Sequence, residues 1–329
     1  MKLHKIGFSV LLLVVLLAIT LLPSSNVTEQ ANQQYLNYNE EDDGLSFSNL
    51  FVQTANAEGS FGNDITIPIP LEELAGRAPK MENFVNNTYE DASIKVRIED
   101  GRYHDADYHV AYIQIADASQ LRTATAGKVA GSKTLQMSDL APKLNAIVAV
   151  NGDFYTQLKV GYIVRQGQVI RKKASKSLDL LLIDDQGNFH IINARGQEQV
   201  NEIKSLEESH KIVNGFAFGP ALVIDGQIQK IDANYQFAVH YPNPRAVIAQ
   251  IDTLHYAILL VDGRTDNSGG LTAEQLANLC KELNFKQAYN LDGGNSASLY
   301  FKDGLYTKKT KDNERFISDI VYFASAIME

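Results

Sequence analysis

The sequence predicts an α+β fold, in which a mixed and largely antiparallel β-sheet carries one right-handed strand–helix–strand crossover near the C-terminus. Two observations support this prediction. Short apolar or alternating segments separated by turn residues recur from residue 94 onward, as in consecutive β-hairpins. One stretch, Thr272–Leu283, has its apolar residues at helical spacing and lies between two apolar segments.

Composition excludes several classes of protein. The 329 residues are 45% hydrophobic and 21% charged, which fits a globular domain with a substantial core. The formal net charge of -9 argues against nucleic acid as a partner, because binding to a phosphate backbone needs a basic face. The lone cysteine, Cys280, can form neither a disulfide framework nor a thiolate metal site.

The N-terminus predicts export. Lys2 and Lys5 precede an apolar run over residues 6–22, and no further Lys or Arg occurs before Arg77. This charge asymmetry predicts that the N-terminus stays inside while the remainder is exported. Residues 1–23 are therefore a signal peptide or an uncleaved signal anchor, so the exported part is either secreted or held at the outer face of the cytoplasmic membrane. We expect membrane contact through this segment only.

Two further parts of the chain follow. Residues 24–88 are polar and acidic at first and are predicted to form a spacer and transition segment, whereas residues 89–329 form the folded domain. Alternating strands are predicted over Ile94–Ile98 and Val110–Ile115, and a last strand over Ile317–Phe323. Four predicted hairpins lie between them: Gly161–Ile170, Leu178–Ile192, Phe218–Gln229 and Arg245–Gly263.

The crossover unit lies near the C-terminus. Thr272 and Gln275 form a capping box at the start of the helix, which is flanked by the predicted strands Tyr256–Val261 and Gln287–Leu291. Strands joined by such a crossover run parallel, so their carboxyl ends lie on one edge of the sheet. Ligands bind outside the carboxyl ends of the strands in units of this kind.

A carboxylate follows each of these two strand ends. Asp262 stands in "VDGR" and Asp292 in "NLDGGNS". If both reach one rim, they are separated by about one or two strand spacings. That separation falls within the range of roughly 5–9.5 Å that pairs of glycosidase carboxylates use. Asp262 and Asp292 are therefore the candidate catalytic pair.

Donors to an anion are predicted at the same rim. Arg264 can grip a phosphate in a bidentate fork, and Arg245 follows two prolines that place it rigidly. Gly293 and Gly294 allow backbone amides to approach a ligand closely, and the helix N-terminus at Thr272 offers further amides. These residues indicate a site for a negatively charged substrate.

The motifs in their order along the chain resemble the phosphodiester glycosidase family, from about Tyr89 to the C-terminus. They are "NGDFY", "NGFAFGP", "PRAVIAQ", "VDGR", "GGLTAEQLANLCKEL" and "NLDGGNSASL". The resemblance implies an exported α+β domain that acts on sugar-1-phosphodiesters. The positions that match the family pattern are Asn151, Gly152, Phe154, Arg245, Asp262–Arg264, Leu271, Thr272, Asn290–Gly294 and Ser296. Asp153 and Asn295 stand where the family is expected to vary.

The reaction expected from the resemblance is cleavage between an anomeric carbon and a phosphodiester oxygen. A phosphate monoester is a good leaving group, since its second pKa is about 6, so strong general acid catalysis is not needed. Asp292 is expected to act as base or nucleophile, and Asp262 as the second acid/base or as a group that orients water. The residues expected to bind the sugar-phosphate substrate are Arg264, Arg245, Asn151, Asn290, Gly293, Gly294, Ser296 and Thr272.

Two alternatives remain open from the sequence. The domain could bind anionic sugar-phosphate polymers at the cell surface without cleaving them, with the same rim holding the repeat unit. No cofactor is predicted, although Asp153, Asp262 and Asp292 could instead supply oxygen ligands to a divalent cation that assists hydrolysis.

Overall fold

A computed structural model describes residues 68–127, 133–306 and 314–327. They belong to the second of two units into which the chain divides, Phe61–Glu329. The predicted export segment, residues 1–23, lies outside the described residues, and so do residues 24–67 of the predicted spacer. No helix in the described ranges is long and apolar enough to cross a membrane.

The described residues contain nineteen strands and three α-helices. The strands are β1 (Phe84–Val85), β2 (Thr88–Glu90), β3 (Ile94–Tyr103), β4 (Ala106–Ile115), β5 (Leu121–Thr125), β6 (Ala146–Asn151), β7 (Gly161–Arg165), β8 (Gln168–Lys173), β9 (Leu180–Asp184), β10 (Phe189–Ile192), β11 (Ile212–Phe216), β12 (Ala221–Ile224), β13 (Gln227–Ile228), β14 (Arg245–Asp252), β15 (His255–Val261), β16 (Gln287–Asn290), β17 (Leu299–Phe301), β18 (Gly304–Leu305) and β19 (Asp319–Ala324). The helices are α1 (Met137–Leu140), α2 (Gly196–Ser209) and α3 (Ala273–Glu282).

The strands form three sheets. A nine-stranded sheet has the order β1-β2-β3-β4-β15-β14-β16-β12-β13, and two five-stranded sheets have the orders β10-β9-β11-β7-β8 and β18-β17-β6-β19-β5. Every pairing between strands of the described residues is antiparallel. The predicted α+β class agrees with this content of strands and helices. The predicted mixed sheet is not observed among the described residues, because the two strands of the crossover, β15 and β16, are not direct neighbours.

The strand–helix–strand segment consists of β15, α3 and β16. Both strands pair antiparallel with β14, which lies between them, so β15 and β16 run in the same direction. Helix α3 begins after Thr272, whose side chain and that of Gln275 form the predicted capping box, and ends at Glu282. The right-handed sense of this connection stays a prediction. Asp262 and Asp292 follow the carboxyl ends of the two strands.

The four predicted hairpins are confirmed, and two of them have turn residues typical of a tight hairpin turn. Strands β7 and β8 meet at Gln166-Gly167, and β12 and β13 meet at Asp225-Gly226. Both residues of each turn have positive φ, as a type I′ turn requires. The pairs β9–β10 and β14–β15 complete the four predicted hairpins.

The three sheets share one apolar core, and a helix covers the outer side of each. Residues of all three sheets, such as Ile258, Val148 and Leu181, pack in the central cluster. Helix α3 packs on the nine-stranded sheet through residues such as Leu276, while α1 and α2 pack on the two smaller sheets. This arrangement leaves the loops that follow β6, β11, β15 and β16, together with the start of β14, to build a site.

Candidate functional site

A cavity of about 240 Å³ lies at these loops and is called the Asp292 cavity here. Its lining comes from six separate parts of the chain. The residues are Phe154, Phe218, Phe237, Ala238, Asn243, Arg245, Arg264, Asp292, Gly293, Gly294, Asn295 and Arg315. Among these described residues, three carry guanidinium groups and one carries a carboxylate, so the cavity is cationic in a chain whose net charge is -9.

Arg245, the first residue of β14, is a buried cation with neutral partners. Its Nε donates to the Leu271 carbonyl at 2.9 Å, and its Nη2 donates to the carbonyls of Tyr241 at 2.9 Å and Ala238 at 3.2 Å. Burial and the nearby Arg264 lower the pKa of the guanidinium to about 10. No carboxylate of the described residues neutralises Arg245, so an anion in the cavity would supply the missing charge.

Arg264 and Arg315 add two further cations to the cavity wall. Arg264 donates from Nη1 to Asn295 Oδ1 at 3.0 Å and from Nη2 to Asn243 Oδ1 at 2.7 Å. Arg315 lies over the ring of Phe154, 5.5 Å from its centroid. Within the described ranges neither guanidinium forms a salt bridge of its own, and planar guanidinium groups of this kind suit a phosphate.

Asp292 is the single carboxylate among the described residues of the cavity wall, and it is half-buried. Burial raises its pKa, and the negative charge of Asp153 acts in the same direction. The Ser296 hydroxyl, the charge of Arg315 and the Gly293 amide act against this rise. A carboxylate with a raised pKa is a stronger base than one in water.

A fully buried ion cluster lies behind Asp292. Arg165 Nη2 donates to Asp153 Oδ1 at 2.7 Å, and its Nε donates to Asp319 Oδ2 at 2.8 Å. Burial raises the pKa of Asp153, and burial together with the charge of Asp153 raises that of Asp319 to about 7. Gly152 is required at this point, because a Cβ there would lie 2.2 Å from an Asp319 carboxylate oxygen.

The remaining wall of the cavity is aromatic. The rings of Phe218 and Phe237 stack with centroids 4.1 Å apart and planes at 11°. Phe237 and Ala238 both have left-handed backbone conformations, with φ of 66° and 52°. Two consecutive left-handed residues other than glycine are strained, and such strain is typical of segments that shape a site.

Asp262 does not line this cavity. It lies in a neighbouring cavity of about 470 Å³, called the Asp262 cavity here, which is lined by Asp107, Pro244, Val261, Asp262, Gly263, Arg264, Thr265, Asn267, Ser268, Gly294, Asn295 and Ala297. The two carboxylates that were expected to form a catalytic pair therefore line neighbouring cavities and not the same one. Arg264, Gly294 and Asn295 line both cavities.

His109 anchors the Asp262 carboxylate. Its Nε2 lies 3.3 Å from Asp262 Oδ2, and its Nδ1 lies 2.6 Å from Asp100 Oδ1. Burial lowers the pKa of this histidine, but its hydrogen bonds to the two carboxylates outweigh burial and raise it. The Tyr306 hydroxyl donates to Asp100 at 3.2 Å and completes the chain of contacts.

Asn151 and Asn290, which were expected to bind the substrate, hold loops through their amide groups. The Asn151 Nδ2 donates to the Asp292 carbonyl at 2.6 Å, and its Oδ1 accepts from the Ser298 amide at 3.1 Å. The Asn290 Nδ2 donates to the Gly219 carbonyl at 2.7 Å. Both side chains are buried, and neither lines the Asp292 cavity.

Of the remaining residues that were predicted to bind the substrate, some line the Asp292 cavity and others do not. Gly293 and Gly294 line the cavity, but the Gly294 amide donates to the Pro244 carbonyl at 2.9 Å and the Gly293 amide bonds to Asp292. Ser296 is buried and bonds to the Asp292 carboxylate. Thr272 caps α3 with its hydroxyl and does not line the Asp292 cavity. The helix N-terminus that was expected to contact an anion is therefore not part of the lining of this cavity.

Several lining residues were not identified from the sequence. Phe218 lies in the "NGFAFGP" motif of the family resemblance. The other three, Phe237, Asn243 and Arg315, lie outside the motifs quoted for that resemblance. Only the three-dimensional arrangement identifies them, because Phe237 and Asn243 come from the segment between β13 and β14, and Arg315 comes from the segment before β19.

The carboxylates proposed to hold a divalent cation do not converge. Asp153 is paired with Arg165, while Asp262 and Asp292 lie in separate cavities. In the part of the chain that the structure describes, the group of side chains near enough to share an ion is Asp184, His190 and His210, and none of these lines either cavity.

Comparison with known proteins identifies one family model and several similar folds. The sequence model of the phosphodiester glycosidase family matches residues 144–324. The catalytic domain of zebrafish N-acetylglucosamine-1-phosphodiester alpha-N-acetylglucosaminidase, auto-inhibited by its pro-peptide, has a similar fold, with a TM-score of 0.57 and 17% identity over 80% of this chain and 98% of that chain.

A hypothetical protein from Synechocystis is less similar, with a TM-score of 0.48 and 15% identity over 70% of this chain and 62% of that one. No curated protein sequence is similar to the chain at a significant level.

Proposed function

Since the chain belongs to the phosphodiester glycosidase family, we propose that it hydrolyses the bond between the anomeric carbon of a sugar and a phosphodiester oxygen. The observation that carries this proposal is the charge of the Asp292 cavity. Arg245, Arg264 and Arg315 have no carboxylate partner of their own within the described ranges, and they surround one carboxylate in a chain of net charge -9. A sugar-1-phosphodiester brings the anion that these cations lack.

The sugar would rest against the aromatic wall of the cavity. The stacked rings of Phe218 and Phe237 offer a flat apolar surface, on which the C–H face of a pyranose can pack. The phosphate would then contact Arg245 and Arg264, with the anomeric carbon near Asp292. The solved zebrafish relative is named for N-acetylglucosamine, and we propose the same sugar for this chain.

The proposed chemistry needs one carboxylate. Water attacks the anomeric carbon and loses a proton to Asp292, while the bond from this carbon to the phosphodiester oxygen breaks and its electron pair leaves with the phosphate. The leaving phosphate monoester is stabilised by the guanidinium groups, and its second pKa of about 6 makes a general acid unnecessary. The raised pKa of Asp292 makes it a better base for this step.

The direct test replaces Asp292 by Asn and follows release of phosphomonoester from an N-acetylglucosamine-1-phosphodiester. We expect the rate to fall by about 10² to 10⁴. Asp303→Asn, which removes an exposed carboxylate in a hairpin turn, is the matched control and should keep the wild-type rate. Near-normal turnover in Asp292→Asn would overturn the assignment, and tight binding without release by the wild type would favour a non-catalytic binder.

The product anomer separates the two roles open to Asp292. Direct attack of water gives inversion at the anomeric carbon, whereas a covalent intermediate on Asp292 gives retention. NMR of the freshly released sugar reads the anomer. We expect inversion, because no second carboxylate of the described residues lines the cavity to activate water for a second step.

We also propose that the protein is exported and acts on cell-wall or exopolysaccharide material. The support is the positively charged start and apolar run of residues 1–23. Fractionation of cells that express the full chain, with detection in the membrane and the medium, tests this. Recovery of the chain from the cytoplasm alone would contradict it.

A further inference from the structure

Two cavities meet at one cation. Arg264, Gly294 and Asn295 line both the Asp292 cavity and the Asp262 cavity. The Arg264 guanidinium is held between them by Asn295 Oδ1 and Asn243 Oδ1, at 3.0 and 2.7 Å. Its backbone has a left-handed φ of 60°, which fixes where the side chain leaves the loop.

A phosphodiester has two organic arms, and a phosphate at Arg264 would have a cavity on either side. The smaller cavity, of about 240 Å³, has the aromatic rings and Asp292. The larger cavity, of about 470 Å³, has no aromatic side chain among its described lining residues. One side therefore suits the sugar that is attacked, and the other is open to the group that leaves with the phosphate.

The lining of the Asp262 cavity is mixed, with a polar loop beside the apolar residues Pro244, Val261 and Ala297. Four hydrogen-bonding side chains follow one another closely in the loop after β15, at Asp262, Thr265, Asn267 and Ser268. The Ser268 hydroxyl is committed to the Asp262 carbonyl at 2.8 Å, and Asp107 is paired with Arg102 at 2.6 Å. The Thr265 side chain is exposed, but its hydroxyl accepts from the Ser268 amide at 3.0 Å. The Asp262 carboxylate and the exposed Asn267 side chain are thus the main groups of this loop that a ligand can reach.

The Asp262 carboxylate is pre-positioned. His109 contacts its Oδ2 at 3.3 Å and is itself fixed by Asp100, so the carboxylate has a set direction before a ligand enters. Its Oδ1 makes no hydrogen bond to a side chain of the described residues. An anchored carboxylate oxygen is a strong acceptor for hydroxyl groups.

We propose that the Asp262 cavity is the leaving-group subsite, which binds a polyhydroxylated ester arm such as a polyol or a second sugar. This inference rests on the proposed hydrolysis and assigns Asp262 to binding. Asp262 accepts hydrogen bonds from hydroxyl groups of the arm, Arg264 holds the phosphate between the two cavities, and the phosphomonoester that leaves carries the polyol with it.

The test uses two substrates that share N-acetylglucosamine-1-phosphate and differ in the second arm, which is methyl in one and glycerol in the other. Wild-type protein should have a kcat/KM about tenfold higher for the glycerol diester, because a hydrogen bond to a charged acceptor is lost in the methyl diester. In Asp262→Asn this preference should fall severalfold through KM. Asn267→Ala should reduce the preference as well, to a smaller degree.

Asp303→Asn is the control and should keep the wild-type preference. Equal kcat/KM for the two substrates in the wild type, or an unchanged preference in both Asp262→Asn and Asn267→Ala, would overturn the subsite while leaving the hydrolysis established. A fall in kcat for both substrates alike in Asp262→Asn would also overturn it, since it would place Asp262 in the chemical step. Failure of the wild type to release phosphomonoester from either diester would instead overturn the proposed function, and the subsite with it.

Discussion

Two arginines of this protein are buried to the same degree and differ in what surrounds them. Arg165 is 2% exposed and Arg245 is 3% exposed. Arg165 lies between the carboxylates of Asp153 and Asp319, whose charges raise its pKa although burial alone would lower it. Arg245 has backbone carbonyls as partners, and burial together with Arg264 lowers its pKa to about 10.

The difference separates a structural charge from one that is prepared for a ligand. A buried cation costs free energy unless an anion accompanies it, and Arg165 has the carboxyl groups of Asp153 and Asp319 within its own fold. Arg245 retains that cost in the free protein, and a phosphate in the cavity can relieve it. The following predictions use this contrast, beginning with the largest expected effect.

Arg165→Met should destabilise the fold strongly. It leaves Asp153 and Asp319 buried with no counter-ion, and removing one partner of a buried ion pair costs about 3–5 kcal/mol. Urea unfolding measures the loss in the free energy of unfolding. Arg245→Met is the matched comparison and should lose less, because it leaves neutral carbonyls behind. Equal losses in the two variants would remove the distinction between these arginines.

Arg245→Met should instead act on catalysis. We expect kcat/KM for an N-acetylglucosamine-1-phosphodiester to fall by about 10² to 10³, the usual cost of losing one preorganised charge-stabilising donor. Steady-state kinetics at a temperature where the variant is fully folded measures this. A fall of less than threefold would show that Arg245 does not contact the phosphate.

Inorganic phosphate should stabilise the wild-type protein and not Arg245→Met. A ligand that binds only the folded state contributes about 2.7 kcal/mol at one hundred times its Kd. Thermal unfolding in phosphate, compared with chloride at the same ionic strength, measures the effect. An equal rise in Tm for the variant would place the anion elsewhere.

The pH dependence of stability should report the protonation state of the Arg165 cluster. The pKa of Asp319 is raised from 3.8 to about 7, first by burial and then by Asp153, against the opposing charge of Arg165. The folded protein therefore holds this proton more tightly than the unfolded chain. The resulting stabilisation is complete below about pH 4 and is lost as the pH rises through 7.

Asp319→Asn carries a neutral side chain at every pH and makes this contribution measurable. Its stability relative to wild type should increase as the pH rises from 4 to 8, in unfolding experiments at matched ionic strength. Asp303→Asn should show no such trend. A constant difference between Asp319→Asn and wild type would mean that Asp319 is not protonated in the folded protein.

Local chemistry explains which parts of the fold could be predicted from the sequence. The turns at Gln166-Gly167 and Asp225-Gly226 and the capping box of Thr272 depend on residues within four positions of one another, and all three are formed. Helix α2 was not predicted, because only Gln199 and Ile203 of its fourteen residues are buried and its apolar period is weak. The division into three sheets depends on long-range pairing, which hairpin patterns do not determine.

The candidate site was predicted in part for a similar reason. The motifs identified Asp292, Arg245 and Arg264, which do line one cavity. They also suggested Asn151 and Asn290 as ligands, since a motif shows that an amide is needed but not whether it faces a ligand or a backbone carbonyl. Strand topology places Asp262 and Asp292 after strands that run in the same direction, yet the Asp262 carboxylate contacts His109 and lines the neighbouring cavity.

The strained turn at Phe237–Ala238 links two properties that are usually adjusted separately. The carbonyls of Ala238 and Tyr241 accept from Arg245, and the ring of Phe237 lines the same cavity as this cation. A replacement of Phe237 that makes room for a bulkier pyranose also shifts the acceptors that aim the guanidinium. Variants selected for a new sugar will therefore change their affinity for the anion at the same time, and selectivity cannot be engineered here one group at a time.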